Sequence, residues 1–280
     1  QGCSGLRNLT LNSSTLASTP ESASYNYYRS SAFWQFRSIS KLVVGSAVSS
    51  IGTYKFNQFA SLRYVEIPSS VTQIGNGSFK GCMKLESITV PNVTQIGSYA
   101  FQGCTKLESI SVPNANQIGS YAFQGCSRLQ SIVIPKSVSS VGSYAFQGCS
   151  SLAHVDIDAR SIGSYAFSGA GVQTLLIGES VSFIDRYAFQ GCSGLRNLTL
   201  NSSTLASSSG SSSSYHSSAL WQFGSTLTKL VVGSAVSSIG TYKFYQFASL
   251  RYVEIPSSVT QIGSNAFRGC SSMDPLDVDA

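Results

Sequence analysis

The sequence is poor in charge and in the residues that usually carry catalytic chemistry. Charged residues make up 11% of its 280 positions, whereas an ordinary globular domain carries roughly 25%. The lysines and arginines form no run or stripe along the sequence. The net charge of +6 therefore does not indicate nucleic-acid binding, for which clustered basic residues are needed. No apolar stretch approaches the ~18 residues of a membrane-spanning helix. Serine supplies much of the polar composition, which favours an extracellular or cell-surface protein.

Histidine occurs only twice. His216 lies in a serine-rich segment, and His154 precedes Asp156 by two residues, so both would point to one face of a strand. A His–Asp pair can orient a base for a serine nucleophile, but the sequence has no nucleophile elbow, oxyanion-hole motif, calcium loop or phosphate loop. We therefore expect no catalytic activity, no metal site and no cofactor.

One phrase recurs along the chain. The fragments "IGSYAFQGCTKLESISVPNANQ" and "IGSYAFQGCSRLQSIVIPKSVSS" represent a frame of 22 or 23 residues, I-G-x-x-A-F-x-x-C-x-x-L-x-x-I-x-I-P. Self-similarity at such a fixed period is typical of stacked repeat architectures. The Val172 repeat is two or three residues shorter than the others. Twelve copies are placed by the first apolar residue of the L-x-x-I-x-I segment: Leu6, Ile39, Leu62, Leu85, Leu107, Leu129, Leu152, Val172, Leu195, Leu227, Leu250 and Met273.

A longer period lies on top of the short one. "QGCSGLRNLTLNSSTLAS" begins at Gln1 and again at Gln190, which defines a unit of 189 residues. Two repeats are stretched by serine-rich inserts at 18–31 and 207–218, which we interpret as flexible surface loops because such composition buries too little to fold. Because the frame resumes after each insert, we predict one solenoid over residues 1–280. The chain begins inside a repeat, so we interpret it as a processed product or a piece of a longer array.

The frame predicts a short strand followed by turns. In the copy at Leu107, Ile110 and Val112 alternate with serines, so one face of the strand would be buried, and Pro113 ends it. The stretch "SYAFQGC" is too short for a long helix and indicates one or two helical turns. A single unit cannot bury its apolar face, but stacked units share one interior. We therefore predict an α/β solenoid, a right-handed coil with a parallel β-sheet on one face and short helical turns or loops on the other.

The frame "AF..C..L..I.IP" resembles the BspA-like leucine-rich repeats, which are related to the Treponema-type class. The resemblance extends over nearly the whole chain. It implies the leucine-rich-repeat fold and a secreted or cell-surface protein of an anaerobic bacterium or a protist parasite. It also implies adhesion to host matrix proteins or co-aggregation. The serine-rich inserts, the degraded last repeat and the lack of recognisable terminal caps depart from the family pattern.

All seven cysteines occupy the same position of the frame. Neighbouring copies of that position could come within disulfide distance, so a disulfide ladder or a metal site is one interpretation. The remaining repeats hold phenylalanine or alanine there, and no C-x-x-C spacing occurs, which favours buried thiols that act as small apolar core residues. The seven are Cys3, Cys82, Cys104, Cys126, Cys149, Cys192 and Cys270.

The outward positions of the predicted strands form ladders on one face of the sheet. In the middle they hold small hydroxyls, and elsewhere charged and aromatic residues, which are common in protein interfaces. The alternative is that these residues only cover an exposed sheet. The candidate partner-binding residues are Lys41, Tyr64, Glu66, His154, Asp156, Lys229, Tyr252 and Glu254. A second ladder precedes each "AF" on the turn-rich side, and we interpret it as repeat architecture: Tyr99, Tyr121, Tyr144, Tyr165 and Tyr187.

Two functions fit these observations. The first is an extracellular or cell-surface recognition module that binds a protein or glycan, on host matrix or a cell surface, through the sheet face. The second is a structural protein that self-associates into a filament or coat, because a duplicated unit without evident caps can stack end to end. Neither involves nucleic acid or a membrane span in this chain. If the source is eukaryotic and secreted, six N-x-[ST] sequons are candidates for N-glycosylation: Asn8, Asn12, Asn76, Asn92, Asn197 and Asn201.

Overall fold

A computed structural model of the chain describes residues 6–12, 34–209 and 219–273. Over these residues the chain winds into stacked coils that share one apolar interior. Each regular coil contributes a strand to a first parallel sheet, a two-residue strand to a second parallel sheet, and a series of turns that leads to the next coil. The predicted leucine-rich-repeat solenoid with a parallel sheet on one face is confirmed, and its helical content is very small.

The first sheet is built from the L-x-x-I-x-I segments. Successive strands pair in parallel and in register, so that Leu175 lies between Val155 and Leu198. Apolar side chains point inwards and polar ones outwards, as in the exposed–buried alternation of His154–Ile157, and this is the period of two that the sequence predicted. The strands are β1 (Asn8–Leu11), β2 (Lys41–Val44), β4 (Tyr64–Glu66), β6 (Ser87–Thr89), β9 (Ser131–Ile134), β11 (His154–Ile157), β13 (Thr174–Ile177), β15 (Asn197–Leu200), β16 (Lys229–Val232) and β18 (Tyr252–Glu254).

The first sheet is interrupted once within the described ranges. Strands β1, β2, β4 and β6 form one group and the other six strands form a second, with no strand at residues 109–112 between them. The strand predicted at Ile110 and Val112 is therefore wrong, although both side chains are buried as predicted. Ser109 and Ser111 are exposed there. The stack of coils continues through this region, because the second sheet is unbroken across it.

A second parallel sheet, which we did not predict from the sequence, lies at the I-G step of the frame. Its strands have two residues each, and the apolar member is buried in most of them. Ile96, for example, pairs with Ile74 and Ile118 in the neighbouring coils. One group of strands is β3 (Ser50–Ile51), β5 (Gln73–Ile74), β7 (Gln95–Ile96), β8 (Gln117–Ile118), β10 (Ser140–Val141), β12 (Ser161–Ile162) and β14 (Phe183–Ile184), and another is β17 (Ser238–Ile239) and β19 (Gln261–Ile262).

The "SYAFQGC" stretch is a column of turns, not a helix. Alternate backbone N–H groups donate within their own coil and to the next one. The N–H of Ala100 donates to the carbonyl of Gly97, whereas that of Phe101 donates to the carbonyl of Ala122 in the following coil. Of the helical turns or loops predicted for this side, the structure has loops made of turns, because half of these N–H groups bond between coils and cannot also bond along a helix.

Phenylalanine rings from this column form a continuous stack in the interior. The rings of Phe101 and Phe123 are nearly parallel, with an interplanar angle of 10° and centroids 5.2 Å apart. Similar pairs extend the stack from Phe56 to Phe189. Each coil therefore covers an aromatic face of its neighbour, which explains why a single unit could not be stable alone.

In the part of the chain that the structure describes, five cysteines fill buried core positions, as predicted, and Cys270 is partly buried. None of them there forms a disulfide. Each thiol donates to a phenylalanine carbonyl of a preceding coil, as Cys126 Sγ does to Phe101 at 3.2 Å. Loss of solvent raises the pKa of the Cys149 thiol to about 12, so these groups are neutral at physiological pH. Cys3 lies outside the described residues.

The insert at 18–31 lies outside the described residues, as do residues 210–218 of the second insert. Before that second gap the chain forms helix α1 (Ser203–Ser207). Buried Ser202 caps the helix, because its hydroxyl accepts the N–H of Leu205 at 3.1 Å. The helix occupies the place of a second-sheet strand, so the loop predicted from residue 207 begins inside a helix. Two 3₁₀ helices follow the two inserts: Trp34–Phe36 and Trp221–Phe223.

Candidate recognition surface

The outward side chains of the first sheet form two columns along the solenoid. One column holds the first residue of each strand and the other holds the third, and in-register pairing keeps each column aligned. Near the middle both columns carry hydroxyls, and at three other places they carry charged, aromatic or imidazole groups. The hydroxyl positions are Ser87, Thr89, Ser109 and Ser111.

The first of the three places lies on β2 and β4. Lys41 and Tyr64 are neighbours in one column, and Lys41 Nζ is 2.6 Å from Glu66 Oε1 in the other. The Tyr64 hydroxyl donates to Glu86 Oε2 at 3.0 Å, while the residue is 44% exposed. A surface ion pair adds little stability, but here the contacts fix the position of an exposed aromatic ring. We term this arrangement a Lys-Tyr-Glu cluster.

A second Lys-Tyr-Glu cluster repeats the arrangement on β16 and β18. Lys229 Nζ is 2.9 Å from Glu254 Oε1 and 4.8 Å from the centre of the Tyr252 ring. The hydrogen bond from Lys229 holds the pKa of Glu254 below its usual value, and the same bond raises the pKa of Lys229. The two clusters lie eight coils apart, which is about 38 Å at a strand spacing of about 4.8 Å.

The third place is β11, between the two clusters. His154 and Asp156 both point outwards from this strand, as predicted. His154 lies between Ser131 and Thr174 in its column. Among the described residues no serine hydroxyl is hydrogen-bonded to His154, so the structure holds no nucleophile paired with this imidazole.

A groove opens beside Asp156 because one coil has a short connection between its two strands. Residues 158–160 join β11 to β12, whereas the five residues 135–139 join β9 to β10 and the five residues 178–182 join β13 to β14. The longer connections flank the short one and enclose a volume of about 480 Å³. We term this feature the central groove, and the side chains that define it are Val133, Lys136, Asp156, Asp158, Leu176 and Glu179.

The central groove combines apolar and acidic groups. Asp156 lies between Val133 and Leu176 in the outward column, and Val133 is 63% exposed. Asp158 is fixed at the floor, because its Oδ1 accepts the backbone N–H of Ser180 at 2.8 Å. Over the described ranges no group of three or more His, Cys, Asp and Glu is arranged to hold a metal ion. The groove therefore offers charge and apolar contact together.

Sequence reasoning named Asp156 but missed Val133, Leu176 and Glu179. A signal was present, because the Val172 repeat is visibly short in the sequence. Its missing residues fall largely in the connection after β11, and the neighbouring full-length connections carry Glu179 on one side and Lys136 on the other. The number of residues between successive strands would have located the groove.

The sequon asparagines use their side chains in three ways. Asn8 and Asn197 start β1 and β15 and are exposed. The Asn76 side chain accepts a backbone N–H of the following coil, and that of Asn92 donates to a backbone carbonyl of the preceding coil. The remaining two pack against a glycine of the next coil: Asn12 and Asn201. Their glycosylation stays a prediction.

The tyrosine ladder lies on the turn side of the coils. The rings of Tyr99 and Tyr121 are 4.8 Å apart and nearly parallel, and similar pairs continue to Tyr187. Cations cover the two ends, with Lys80 over the first ring and Arg186 over the last. A planar ligand would need a free ring face, and within the ladder those faces contact each other. This geometry fits the interpretation of the ladder as repeat architecture.

A match to a known sequence family accounts for the coil and its faces. The profile described as BspA type Leucine rich repeat region matches in six copies, over residues 26–153, 116–220 and 216–279. The chain belongs to the BspA-type leucine-rich repeat family. The resemblance drawn from the repeat frame is thereby confirmed. BspA-type repeats form scaffolds of stacked units, and such solenoids present extended surfaces for binding. No curated protein sequence matches the chain.

A solved leucine-rich repeat structure shares the fold of this BspA-type chain, and others resemble it more distantly. A leucine-rich repeat protein from Bacteroides ovatus is 27% identical, with 96% of this chain and 74% of that chain covered and a TM-score of 0.52. One from Eubacterium ventriosum is 21% identical, covering 98% and 92%, with a TM-score of 0.47. A leucine rich cell surface protein from Faecalibacterium prausnitzii is 19% identical, covering 96% and 86%, with a TM-score of 0.40. Residues 6–12, 34–209 and 219–273 contain no helix with the length and hydrophobicity that a membrane span requires.

Proposed function

We propose that this BspA-type chain is an extracellular or cell-surface recognition module that binds a protein partner through the outward face of its first sheet. The observation that carries the proposal is the distribution of side chains on that face. Charged and aromatic groups gather at three places, the two Lys-Tyr-Glu clusters and the central groove beside His154, with small hydroxyls between. A face that only covered the core would not need exposed tyrosines held by fixed contacts.

The geometry of the clusters suits recognition of a protein. Tyr64 and Tyr252 are 44% and 51% exposed, and tyrosine offers a large contact area together with a polar group. Tyr64 lies on a strand that pairs with neighbours on both sides, and Tyr252 lies on a strand that pairs on one side, so the register of both strands is fixed. A rigid, preorganised surface loses little conformational entropy when it binds. The location outside the cell is supported by the family and by a surface that relies on serine more than on charge.

Adhesion of the full chain to an immobilised extracellular-matrix preparation tests the proposal. The variant Tyr64→Ala with Tyr252→Ala should bind at least roughly tenfold less, as expected for aromatic interface anchors. The matched control is Ser109→Ala with Ser111→Ala, which changes hydroxyls on the same face and should bind like the parent. Protease treatment of the matrix should abolish binding and glycosidase treatment should not. Undiminished binding by a variant that is altered in both Lys-Tyr-Glu clusters and in the central groove would contradict the proposal.

A second candidate function, self-association into a filament or coat, is favoured by one observation. Ile262 of β19 is 53% exposed, whereas its copy Ile74 in β5 is fully buried. A further coil, from the same chain or from a second copy, would cover this apolar edge. Sedimentation over a dilution series distinguishes the two functions: polymers that grow with concentration support self-association, and a monomer at every concentration contradicts it.

A further inference from the structure

We propose that the central groove binds a lysine or arginine side chain of the protein partner. The inference rests on the proposed function and assigns a ligand group to one part of the recognition face. It follows from three features of the groove: unpaired carboxylates, apolar surface next to them, and a cation confined to one wall.

The two carboxylates that lack a partner in the described part of the chain both line this groove. Of the eight aspartates and glutamates there, six are engaged in ion pairs or hydrogen bonds, and the remaining two are Asp156 and Glu179. The engaged ones are Glu66 with Lys41, Glu86 with Arg63, Glu108 with Arg128, Glu254 with Lys229, Asp158 with the N–H of Ser180, and Asp185 with the N–H of Tyr187.

This pairing pattern is selective, because the chain has an excess of cations. With a net charge of +6, the structure has basic groups enough to pair every described carboxylate, yet Asp156 and Glu179 face open solvent in one groove. Together with Asp158 they contribute three negative charges against the single positive charge of Lys136. Carboxylates in a cleft with low-dielectric walls attract a cation more strongly than the same groups on a flat surface.

The apolar walls specify which kind of cation fits. Val133 and Leu176 flank Asp156 on neighbouring strands, so a carboxylate is bracketed by two branched aliphatic side chains. Lysine and arginine combine an aliphatic stem with a cationic end, and this strip offers contacts to both parts. A bare metal ion would gain nothing from valine and leucine, and among the described residues no three His, Cys, Asp or Glu side chains are arranged to hold one.

Lys136 sets the orientation of the bound side chain. It lies on the connection after β9, while Glu179 lies on the connection after β13, so the short connection after β11 separates the two. Repulsion from Lys136 would direct the cationic end towards Glu179 and Asp156. His154 and Arg160 are the other basic residues near this part of the face, on β11 and on the short connection itself, and neither is among the residues that line the groove.

Methyl NMR of the full chain with short peptides tests the inference. The probes are N-acetyl-Gly-Arg-Gly-amide and N-acetyl-Gly-Lys-Gly-amide, and their matched controls carry citrulline and acetyl-lysine, which keep the shape and remove the charge. We expect at least one cationic peptide to shift the methyl signals of Val133 and Leu176 with a saturable dependence at millimolar concentrations. Its neutral counterpart should bind roughly fivefold more weakly or not at all.

Variants of the exposed carboxylates locate the site. Asp156→Asn and Glu179→Gln should each weaken binding of the cationic peptide roughly threefold to fivefold. Glu108→Gln, which changes an exposed carboxylate paired with Arg128 outside the groove and the clusters, should leave it unchanged. Equal binding of charged and neutral peptides, no saturable shift with either cation, or full binding by the doubly substituted chain would overturn the inference.

The outcomes separate this inference from the proposed function. If the cationic peptide binds as expected but a chain altered in both Lys-Tyr-Glu clusters and in the central groove adheres to matrix like the parent, the groove is a cation site and the proposed function fails. If adhesion depends on the tyrosines and no peptide binds, the recognition face stands and the groove assignment fails.

Discussion

The ammonium nitrogen of Lys243 donates a hydrogen bond to the hydroxyl of Ser208, 2.8 Å away at the end of helix α1. Burial lowers the pKa of Lys243 to about 8. Regular coils hold alanine at the equivalent position, such as Ala122, and Lys55 holds it in the other coil that follows a serine-rich insert. The lysine therefore fills the space left where α1 replaces a second-sheet strand.

The first prediction concerns the pH dependence of this buried lysine. The pKa of Lys243 is about 8 in the folded chain, whereas the ordinary lysine value of 10.5 applies to the unfolded chain. Between these two pH values the unfolded chain binds more protons than the folded chain, so the parent gains stability as pH rises. The free energy of unfolding of Lys243→Met should exceed that of the parent by the largest amount at pH 7. This difference between variant and parent should fall by on the order of 3 kcal/mol by pH 10.5.

Urea unfolding of both chains across this pH range measures the effect. Lys229→Met is the control, because Lys229 is exposed and its pKa is raised. The free energy of unfolding of this variant, relative to that of the parent, should not fall with pH. A Lys243→Met difference that stays constant from pH 7 to 10.5 would show that the lysine is not desolvated in the folded chain.

The second prediction concerns the contact between Asp158 and Gly178 at the floor of the central groove. A Cβ atom on Gly178 would lie 2.2 Å from Asp158 Oδ1, so Gly178→Ala should lower the free energy of unfolding by roughly 1–3 kcal/mol. Asp158→Ala loses the hydrogen bond to Ser180 and should cost about 1 kcal/mol. In the double variant the costs should be less than additive, because the contacts of the new Cβ with Asp158 Oδ1 and Cγ are removed and only the 2.8 Å contact with the Cβ of residue 158 remains. Strict additivity in the double-mutant cycle would show that the two residues do not touch.

The third prediction concerns thiol reactivity. Cys126 is fully buried and its pKa lies well above the ordinary value, whereas Cys270 is only partly buried, with a pKa of about 11. Iodoacetamide labelling of the native chain, resolved by mass spectrometry, should modify Cys270 at least roughly tenfold faster than Cys126. Unfolding in urea should abolish the difference. Equal native rates would mean that the interior at Cys126 is open to solvent.

The fourth prediction concerns the backbone of the tyrosine ladder. Tyr144 has a φ of +60°, a conformation that costs a non-glycine residue roughly 1 kcal/mol, whereas Tyr187 does not share it. Both Tyr144→Gly and Tyr144→Ala lose ring stacking, but the glycine variant should be more stable by about 1 kcal/mol. At Tyr187 alanine should be the better replacement. Thermal or urea unfolding of the four variants, glycine and alanine at each position, measures these differences in stability. The same ranking of glycine and alanine at both positions would contradict the assigned backbone.

The inside–outside alternation of the first sheet was predictable because a period of two persists in every copy of the frame. The second sheet was not, since a strand such as Gln95–Ile96 is too short for any period to appear. The turns of "SYAFQGC" were mistaken in part for helical turns because local sequence does not show that Phe101 bonds to the next coil. These bonds exist only after the coils have stacked.

The recognition face was predictable only in part, for a related reason. Tyr64 and Asp156 stand out in the sequence because they interrupt columns of hydroxyls. The pairing of carboxylates does not appear there, because the partner of Glu66 lies in a different repeat and the lack of a partner at Glu179 is visible only in three dimensions. The groove itself results from three connections of unequal length meeting side by side.

Carboxyl footprinting of the full chain, free and bound to the matrix preparation, tests the recognition face most directly. Modification of Asp156 and Glu179 should fall strongly in the complex, while that of Asp185, on the turn side, should stay the same. Protection of Asp185 with Asp156 and Glu179 still fully modified would place the partner on the opposite side of the solenoid and rule out the recognition face.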